Sequence, residues 1–262
     1  MNRWAFRLAA GLALASGLHL AGHAQQTENG LVALIPQVKR AIVSIATYDP
    51  LRQPQVVPLG TGFVVADGRH AVTNMHVVDA SAALAAGAAK LVALAGSGAA
   101  PDIRMATLVA SDPDHDLALL GLEGEPLPPL PLRQGETPVA EGTAIAITGF
   151  PIAPVLGLYP ATHKGIVAAI APNATPQGRA SQLENVLLLR SRFDVYQLDI
   201  VAYPGNSGSP VYDIASGEAI AVVNSTFVKD TREIGISNPS GISYAIPIKF
   251  VNQMLRSARL AR

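Results

Sequence analysis

Three residues of this chain have the types and the local settings needed for nucleophilic catalysis. The hexapeptide 205–210 places Ser207 between glycines in a tight turn, which would present its hydroxyl to a substrate. His76 follows a β-type segment, and Asp116 comes directly before an apolar run. A serine hydroxyl is a weak nucleophile at neutral pH, so it needs a base to take its proton and a carboxylate to orient that base. We predict these roles for Ser207, His76 and Asp116.

The carboxylate has two rivals, Asp112 and Asp114, within the same short stretch. Asp116 is favoured because it heads the apolar strand predicted for residues 116–122. Buried neighbours would keep its carboxylate away from bulk water. Neither rival opens an apolar strand.

Attack on a carbonyl group produces an oxyanion, which needs converging backbone N–H donors. Glycine permits the peptide orientation that points such donors inward. We predict that the amides of Gly205 and Ser207 are the main donors, with Asn206 between them as a helper.

The remaining histidines are weaker candidates. His115 sits in a polar turn and is expected to be solvated, His70 lies in a predicted hairpin turn, and His163 lies on the approach to a strand. No His, Cys, Asp or Glu cluster in the sequence has metal-ligand spacing. We therefore predict neither a metal nor a cofactor.

The first 24 residues have the features of a secretory signal peptide. Arg3 and Arg7 precede an apolar stretch over residues 8–20, and small residues at 22–24 suit cleavage after Ala24. The alternative is a retained membrane anchor, but the apolar run is short for a span. We expect a periplasmic or secreted protein without a stable membrane span after cleavage.

The composition narrows the class of protein. The formal net charge of zero gives no reason to expect binding to nucleic acid or to an anionic membrane. The chain contains no cysteine, so an exported form must rely on its apolar core rather than on disulfides.

Short apolar segments separated by Gly and Pro turns predict an all-β sandwich or barrel. A proline-rich linker at 123–142 divides the strands into two sets, and a helix is expected over residues 247–260. His76 and Asp116 fall in the first set, 25–122, and Ser207 falls in the second, 143–262. The predicted strands are 41–47, 56–66, 71–73, 90–95, 103–111, 116–122, 143–148, 164–170, 186–190, 195–199, 210–212, 218–224 and 241–246.

The order His, Asp, Ser along the chain belongs to the chymotrypsin-type arrangement. Together with the segments 60–65, 199–208 and 241–247, it makes residues 36–255 resemble a trypsin-like serine protease of the HtrA type. The resemblance implies two six-stranded β-barrels of the chymotrypsin fold, a Ser-His-Asp triad and hydrolysis of peptide bonds. It also implies protein or peptide substrates, unfolded chains among them, and it is compatible with an oligomer.

Three features depart from that pattern. HtrA proteases usually carry a PDZ domain after the closing helix, and this sequence is expected to lack one. Ser209 stands where HtrA proteases usually have glycine, which is similar to glutamyl endopeptidases. Asn206 stands where digestive trypsins have an aspartate that pairs with the newly cut N-terminus, so we expect control by loops such as 172–184 or 228–239 instead.

Specificity should depend on residues before the nucleophile and on the strand that follows it. These positions carry no acid to receive Lys or Arg and no histidine to receive Glu, which predicts a small or medium apolar side chain at the cleaved position. The predicted pocket residues are Val201, Ala202, Tyr203, Val223, Asn224 and Ser225.

These residues favour an exported serine endopeptidase acting in envelope quality control or processing. The alternative from another class is a catalytically silent, protease-like binding or chaperone protein. A third interpretation is an esterase acting on small esters. The two sets of strands favour a protease, so we expect ester hydrolysis to be a side activity rather than the main function.

Overall fold

The computed structural model describes residues 30–79, 81–173, 193–224 and 241–261. Within these ranges α1 covers residues 30–41, and the other helices are α2 (Met75–Asp79), α3 (Ala82–Ala85), α4 (Ala153–Leu156) and α5 (Ile248–Ser257). The strands are β1 (Ile42–Tyr48), β2 (Val56–Val65), β3 (His70–Asn74), β4 (Lys90–Ala95), β5 (Asp102–Asp112), β6 (Leu117–Leu122), β7 (Ala144–Gly149), β8 (Ala161–Pro172), β9 (Asp194–Asp199), β10 (Pro210–Asp213), β11 (Ala219–Asn224) and β12 (Ile242–Pro247).

The strands form two closed antiparallel barrels. The first has the order β1-β2-β3-β6-β5-β4, and the second has the order β10-β11-β12-β9-β8-β7. Closure leaves no unpaired sheet edge in either barrel. The prediction of an all-β fold with two six-stranded barrels and a closing helix is confirmed.

Each barrel is filled by small and branched apolar side chains. Val43, Ile45 and Leu120 are fully buried in the first barrel, and Ile147 and Leu198 are fully buried in the second. Full burial of one such side chain contributes about 1.5–3 kcal/mol, which is how the fold is stabilised without disulfides. A third apolar cluster is shared by the two barrels and α5, including Phe63, Leu117, Tyr212, Val222, Phe250 and Met254.

The proline-rich stretch between the barrels is held by both of them. Leu127 N–H donates to Gly68 O at 2.9 Å, and Leu130 N–H donates to Val64 O at 2.9 Å. On the other side, Ala219 N–H donates to Pro131 O at 2.8 Å and its carbonyl accepts from Arg133 N–H at 3.0 Å. We call residues 127–133 the strap, because this segment is bonded to the first barrel at one end and to the second at the other.

One local difference from the sequence prediction concerns the site. The strand predicted from Asp116 begins instead at Leu117, because Asp116 has a left-handed backbone with φ of 51°. His76 lies in the short helix α2 directly after β3. The strand predicted at 186–190 lies outside the described residues.

Helix α5 packs as its sequence pattern predicts, with Ile248, Val251, Met254 and Leu255 buried. In the part of the chain that the structure describes, no helix has both the length and the apolar character needed to cross a membrane.

Candidate active site

His76 and Asp116 form a two-point contact. Nδ1 of His76 lies 2.6 Å from Oδ2 of Asp116, and the backbone N–H of His76 donates to Oδ1 at 2.8 Å. Both side chains are partly exposed, at 27% and 23%. Because a carboxylate accepts, the ring proton belongs on Nδ1, which leaves Nε2 as the basic nitrogen.

The turn before β6 sets the position of Asp116. Its φ of 51° is uncommon for a residue other than glycine, although aspartate tolerates it better than most. The carbonyl of Asp116 accepts from Met75 N–H and from Asn74 Nδ2, both at 3.1 Å. The backbone of Asp116 is thereby fixed to the segment that carries His76.

Asn224 supplies a third donor to the same carboxylate. Its Nδ2 donates to Oδ2 of Asp116 at 2.8 Å, from the end of β11 in the second barrel. Its predicted place in the substrate pocket stays a prediction, and the structure adds this contact with Asp116. Sequence reasoning missed the contact because nothing local to β11 indicates which residue of the first barrel it meets.

The Ser207 turn is bonded to both barrels. Ser207 O accepts from Thr61 N–H of β2 at 2.9 Å, and Gly208 N–H donates to Val223 O of β11 at 3.0 Å. Since Asn224 follows Val223 and bonds to Asp116, the serine turn and the His76–Asp116 pair meet at the same junction. Ser207 itself is 5% exposed.

Gly205 is required by its close surroundings. Its φ of 97° is unfavourable for other residues, and a Cβ there would overlap the carbonyl of Phe150. Thr61 Oγ1 donates to Gly205 O at 2.7 Å and accepts from Phe150 N–H at 3.0 Å. In the described part of the chain, no protein group accepts a hydrogen bond from the N–H of Gly205.

The predicted helper role of Asn206 stays a prediction, and the structure shows another partner for its N–H. Its N–H already donates to Tyr203 O at 2.9 Å, so this donor is committed within the loop. Its side chain is fully buried beside Ser209, which is also fully buried. Within the described ranges, Oδ1 and Nδ2 of Asn206 and Oγ of Ser209 have no hydrogen-bond partner. Both side chains face Gly149.

The predicted pocket residues have mixed environments. Val201, Ala202 and Tyr203 are partly exposed, and Ala202 N–H donates to Ser243 Oγ at 3.0 Å. Val223 is fully buried in the core of the second barrel. Ser225 lies outside the described residues.

His163 is a neighbour of this region that sequence reasoning did not connect with it. Its ring centroid lies 6.0 Å from that of Tyr203. Nε2 of His163 is buried and has no hydrogen-bond partner among the described residues. Burial lowers the pKa of His163, because desolvation disfavours the protonated ring.

The two rival acids, Asp112 and Asp114, have surroundings that differ from those of Asp116. Asp112 Oδ2 lies 2.7 Å from Nδ1 of His115, and Asp114 is exposed. The expectation that His115 is solvated is wrong: its side chain is 16% exposed and its ring stacks on Phe250. Of the three aspartates, Asp116 is the one that meets His76.

Two closed six-stranded barrels with histidine, aspartate and serine at their junction define the chymotrypsin-fold class of serine proteases. The trypsin-like peptidase domain family matches residues 60–222, which is more than half of the chain. The chain belongs to this family.

Among curated proteins, the chain is similar to a probable periplasmic serine endoprotease, DegP-like, of Pseudomonas fluorescens, with 30% identity over 215 residues. The match covers 80% of this chain and 38% of that relative. A protein of the same description from Halomonas elongata is 31% identical over 194 residues, covering 72% of this chain and 33% of the relative. The chain thus spans well under half the length of these relatives.

Among the solved structures that share the fold are two proteases. The HtrA-type protease AlgW with a decapeptide has a TM-score of 0.63 and 23% identity, covering 87% of this chain and 67% of that one. The Rv3671c protease from M. tuberculosis, active form, has a TM-score of 0.60 and 23% identity, covering 85% and 82%.

Proposed function

We propose that the chain is a serine endopeptidase that hydrolyses peptide bonds through Ser207, His76 and Asp116. The observation that carries the proposal is the contact of 2.6 Å between His76 Nδ1 and Asp116 Oδ2, beside the Ser207 turn. A protease-like binding protein has no need for a base oriented in this way. Membership of the trypsin-like peptidase family supports the same conclusion.

The proposed mechanism proceeds through an acyl-enzyme. His76 Nε2 takes the proton of Ser207 Oγ as the oxygen attacks the carbonyl carbon of the substrate. The protonated ring is stabilised by the Asp116 carboxylate and then gives its proton to the leaving amine. A water molecule, deprotonated by His76, attacks the ester carbonyl. As the bond to Ser207 Oγ breaks and the acid leaves, protonated His76 returns the proton to Oγ and restores the hydroxyl.

The N–H groups of Gly205 and Ser207 are proposed as the oxyanion donors. The bond from Thr61 Oγ1 to Gly205 O supports this assignment, because it fixes the peptide between Gly205 and Asn206, which lies between the two proposed donors. Loss of one such donor typically lowers kcat by about 10²–10³-fold.

We further propose export to the periplasm or the medium, with cleavage after Ala24 of the signal peptide 1–24. The mature chain would comprise a barrel domain at 25–122, a linker at 123–142 and a second domain at 143–262. Its substrates would be proteins or peptides, in envelope quality control or processing, and cleavage would follow small or medium apolar side chains. The periplasmic description of the relatives supports this placement.

Covalent labelling with a fluorophosphonate tests the proposal directly. Purified protein comprising residues 25–262 should be labelled, whereas Ser207→Ala should not. Ser97→Ala is the matched control, because Ser97 is an exposed serine between β4 and β5 of the first barrel and its loss should leave labelling intact. A folded wild type that neither takes the label nor cleaves casein would contradict the proposal and favour the silent binding protein. Hydrolysis of short acyl esters without cleavage of casein would favour an esterase.

A further inference from the structure

His115 is held between aromatic rings from two distant segments. Its ring centroid lies 3.7 Å from that of Phe250 in α5, with an interplanar angle of 22°. The ring centroid of Phe193, which directly precedes β9, lies 4.6 Å from that of His115, and the two rings are tilted by 58°. The two phenylalanines contact each other edge to face at 5.1 Å. The imidazole therefore belongs to an aromatic cluster that joins the first barrel to the second and to α5.

The same imidazole closes the turn that leads to Asp116. Nδ1 of His115 lies 2.7 Å from Oδ2 of Asp112, and its backbone N–H donates to Oδ1 at 3.2 Å. Asp112, the first residue of the turn, therefore contacts His115 through both oxygens of its carboxylate. The N–H of Asp116 points back into this turn, toward Pro113 O at 3.4 Å.

Asp116 needs such support because its own backbone is uncommon. A residue keeps a left-handed backbone only where the surrounding structure stabilises that conformation. For Asp116, with φ of 51°, contacts stabilise both its carbonyl and its N–H. Asn74 and Met75 donate hydrogen bonds to the carbonyl of Asp116. The turn closed by the contact of Asp112 with His115 positions the N–H of Asp116.

We propose that His115 is a positioning residue for Asp116, fixing the turn through Asp112 and anchoring it through Phe193 and Phe250. This inference rests on the proposed function, since the reason to position Asp116 is its contact with His76. An imidazole suits the place because it combines a flat ring for stacking with a donor for the carboxylate. Phenylalanine would keep the first property, and glutamine would keep the second.

The chain offers a matched control in His70. Its Nδ1 lies 2.8 Å from Asp67 Oδ1, three residues earlier, and its side chain is 16% exposed, as is that of His115. His70 lies at the opposite end of β3 from Asn74. Replacing it removes a histidine–aspartate pair of the same spacing, with a histidine of the same exposure, without touching the turn of Asp116.

The test combines a spectroscopic readout with kinetics on His115→Phe, His115→Gln and His70→Phe. In the wild type, the Nδ1 proton of His76 should give a far-downfield proton NMR signal that disappears in His76→Ala. We expect His115→Phe to shift or broaden this signal, and His70→Phe to leave it unchanged. In turnover, His115→Phe should lower kcat about tenfold with little change in KM.

The outcomes separate the inference from the function on which it rests. A folded His115→Phe or His115→Gln with an unchanged His76 signal and unchanged kcat, differing from wild type in thermal stability alone, would overturn the positioning role. A wild type without turnover, whose His76 signal still responds to His115→Phe, would refute the proposed function and leave the positioning role standing. If His115→Phe does not fold, His115→Gln decides, since it retains a donor for Asp112.

Discussion

The side-chain amide of Asn224 donates a hydrogen bond of 2.8 Å to Oδ2 of Asp116, across the boundary between the two barrels. The same oxygen lies 2.6 Å from Nδ1 of His76. One carboxylate oxygen is thus shared by a donor from each barrel. The orientation of the proposed catalytic base therefore depends on how the barrels are packed together.

Asn224→Ala should lower kcat/KM for a peptide substrate by about 10- to 100-fold. A hydrogen bond to a charged group contributes about 1.5–3 kcal/mol. Without it Asp116 would hold His76 less well in the transition state, and the same free energy converts to this loss of rate. Steady-state kinetics on the purified variant measure the effect. Asn252→Ala is the control, because it also removes a buried amide bond, to Arg133 O, without removing any contact of Asp116. Equal losses in both variants would contradict a specific role for Asn224.

Thr61→Val should impair the site while preserving its shape. The substitution leaves Gly205 O without its donor and Phe150 N–H without its acceptor, at a cost of about 1–3 kcal/mol for each buried group. We expect a lower melting temperature and slower fluorophosphonate labelling. Thr143→Val removes one exposed hydroxyl bond, to Ala140 O, and should change neither quantity appreciably. Labelling at the wild-type rate in Thr61→Val would argue that Gly205 is positioned without this hydroxyl.

Gly149→Ala should destabilise the loop that carries Ser207. The added Cβ would overlap Ser209 Oγ and lie 2.9 Å from both Asn206 Oδ1 and Thr61 Oγ1. Overpacking of this kind typically costs about 1–3 kcal/mol.

The second substitution Ser209→Gly should recover much of that loss, because it removes the worst overlap. A double-mutant cycle on unfolding free energy measures the coupling, expected at about 0.5–3 kcal/mol. Strictly additive effects would show that the two positions do not share this space.

His163→Phe should make stability less sensitive to acid. Burial lowers the pKa of His163 in the folded protein, so the unfolded chain binds a proton that the folded chain resists. Stability is therefore lost as the pH falls below the ordinary value of about 6.5. Melting temperatures measured at about pH 7.5 and about pH 5 should differ less in His163→Phe than in the wild type. The same difference in both proteins would count against this account.

Much of the fold could be predicted because apolar alternation and Gly–Pro turns are local signals. The chain segments of Ser207, His76 and Asp116 could be singled out because each has a distinctive local sequence. The contact of Asn224 with Asp116 could not, since it joins residues 108 positions apart through the packing of two barrels. The burial of His115 could not be predicted for the same reason: its polar neighbours are adjacent in sequence, whereas Phe193 and Phe250 contact it from distant segments.

The strap has a mechanical consequence. Clamshell opening of the barrels would have to break its bonds to Gly68 and Val64 on one side or to Ala219 on the other. Such opening would also expose the shared apolar cluster that contains Phe63 and Tyr212. We therefore expect the two halves to behave as one stiff frame, and any change of activity to arise from small displacements of turns rather than from hinge motion between barrels.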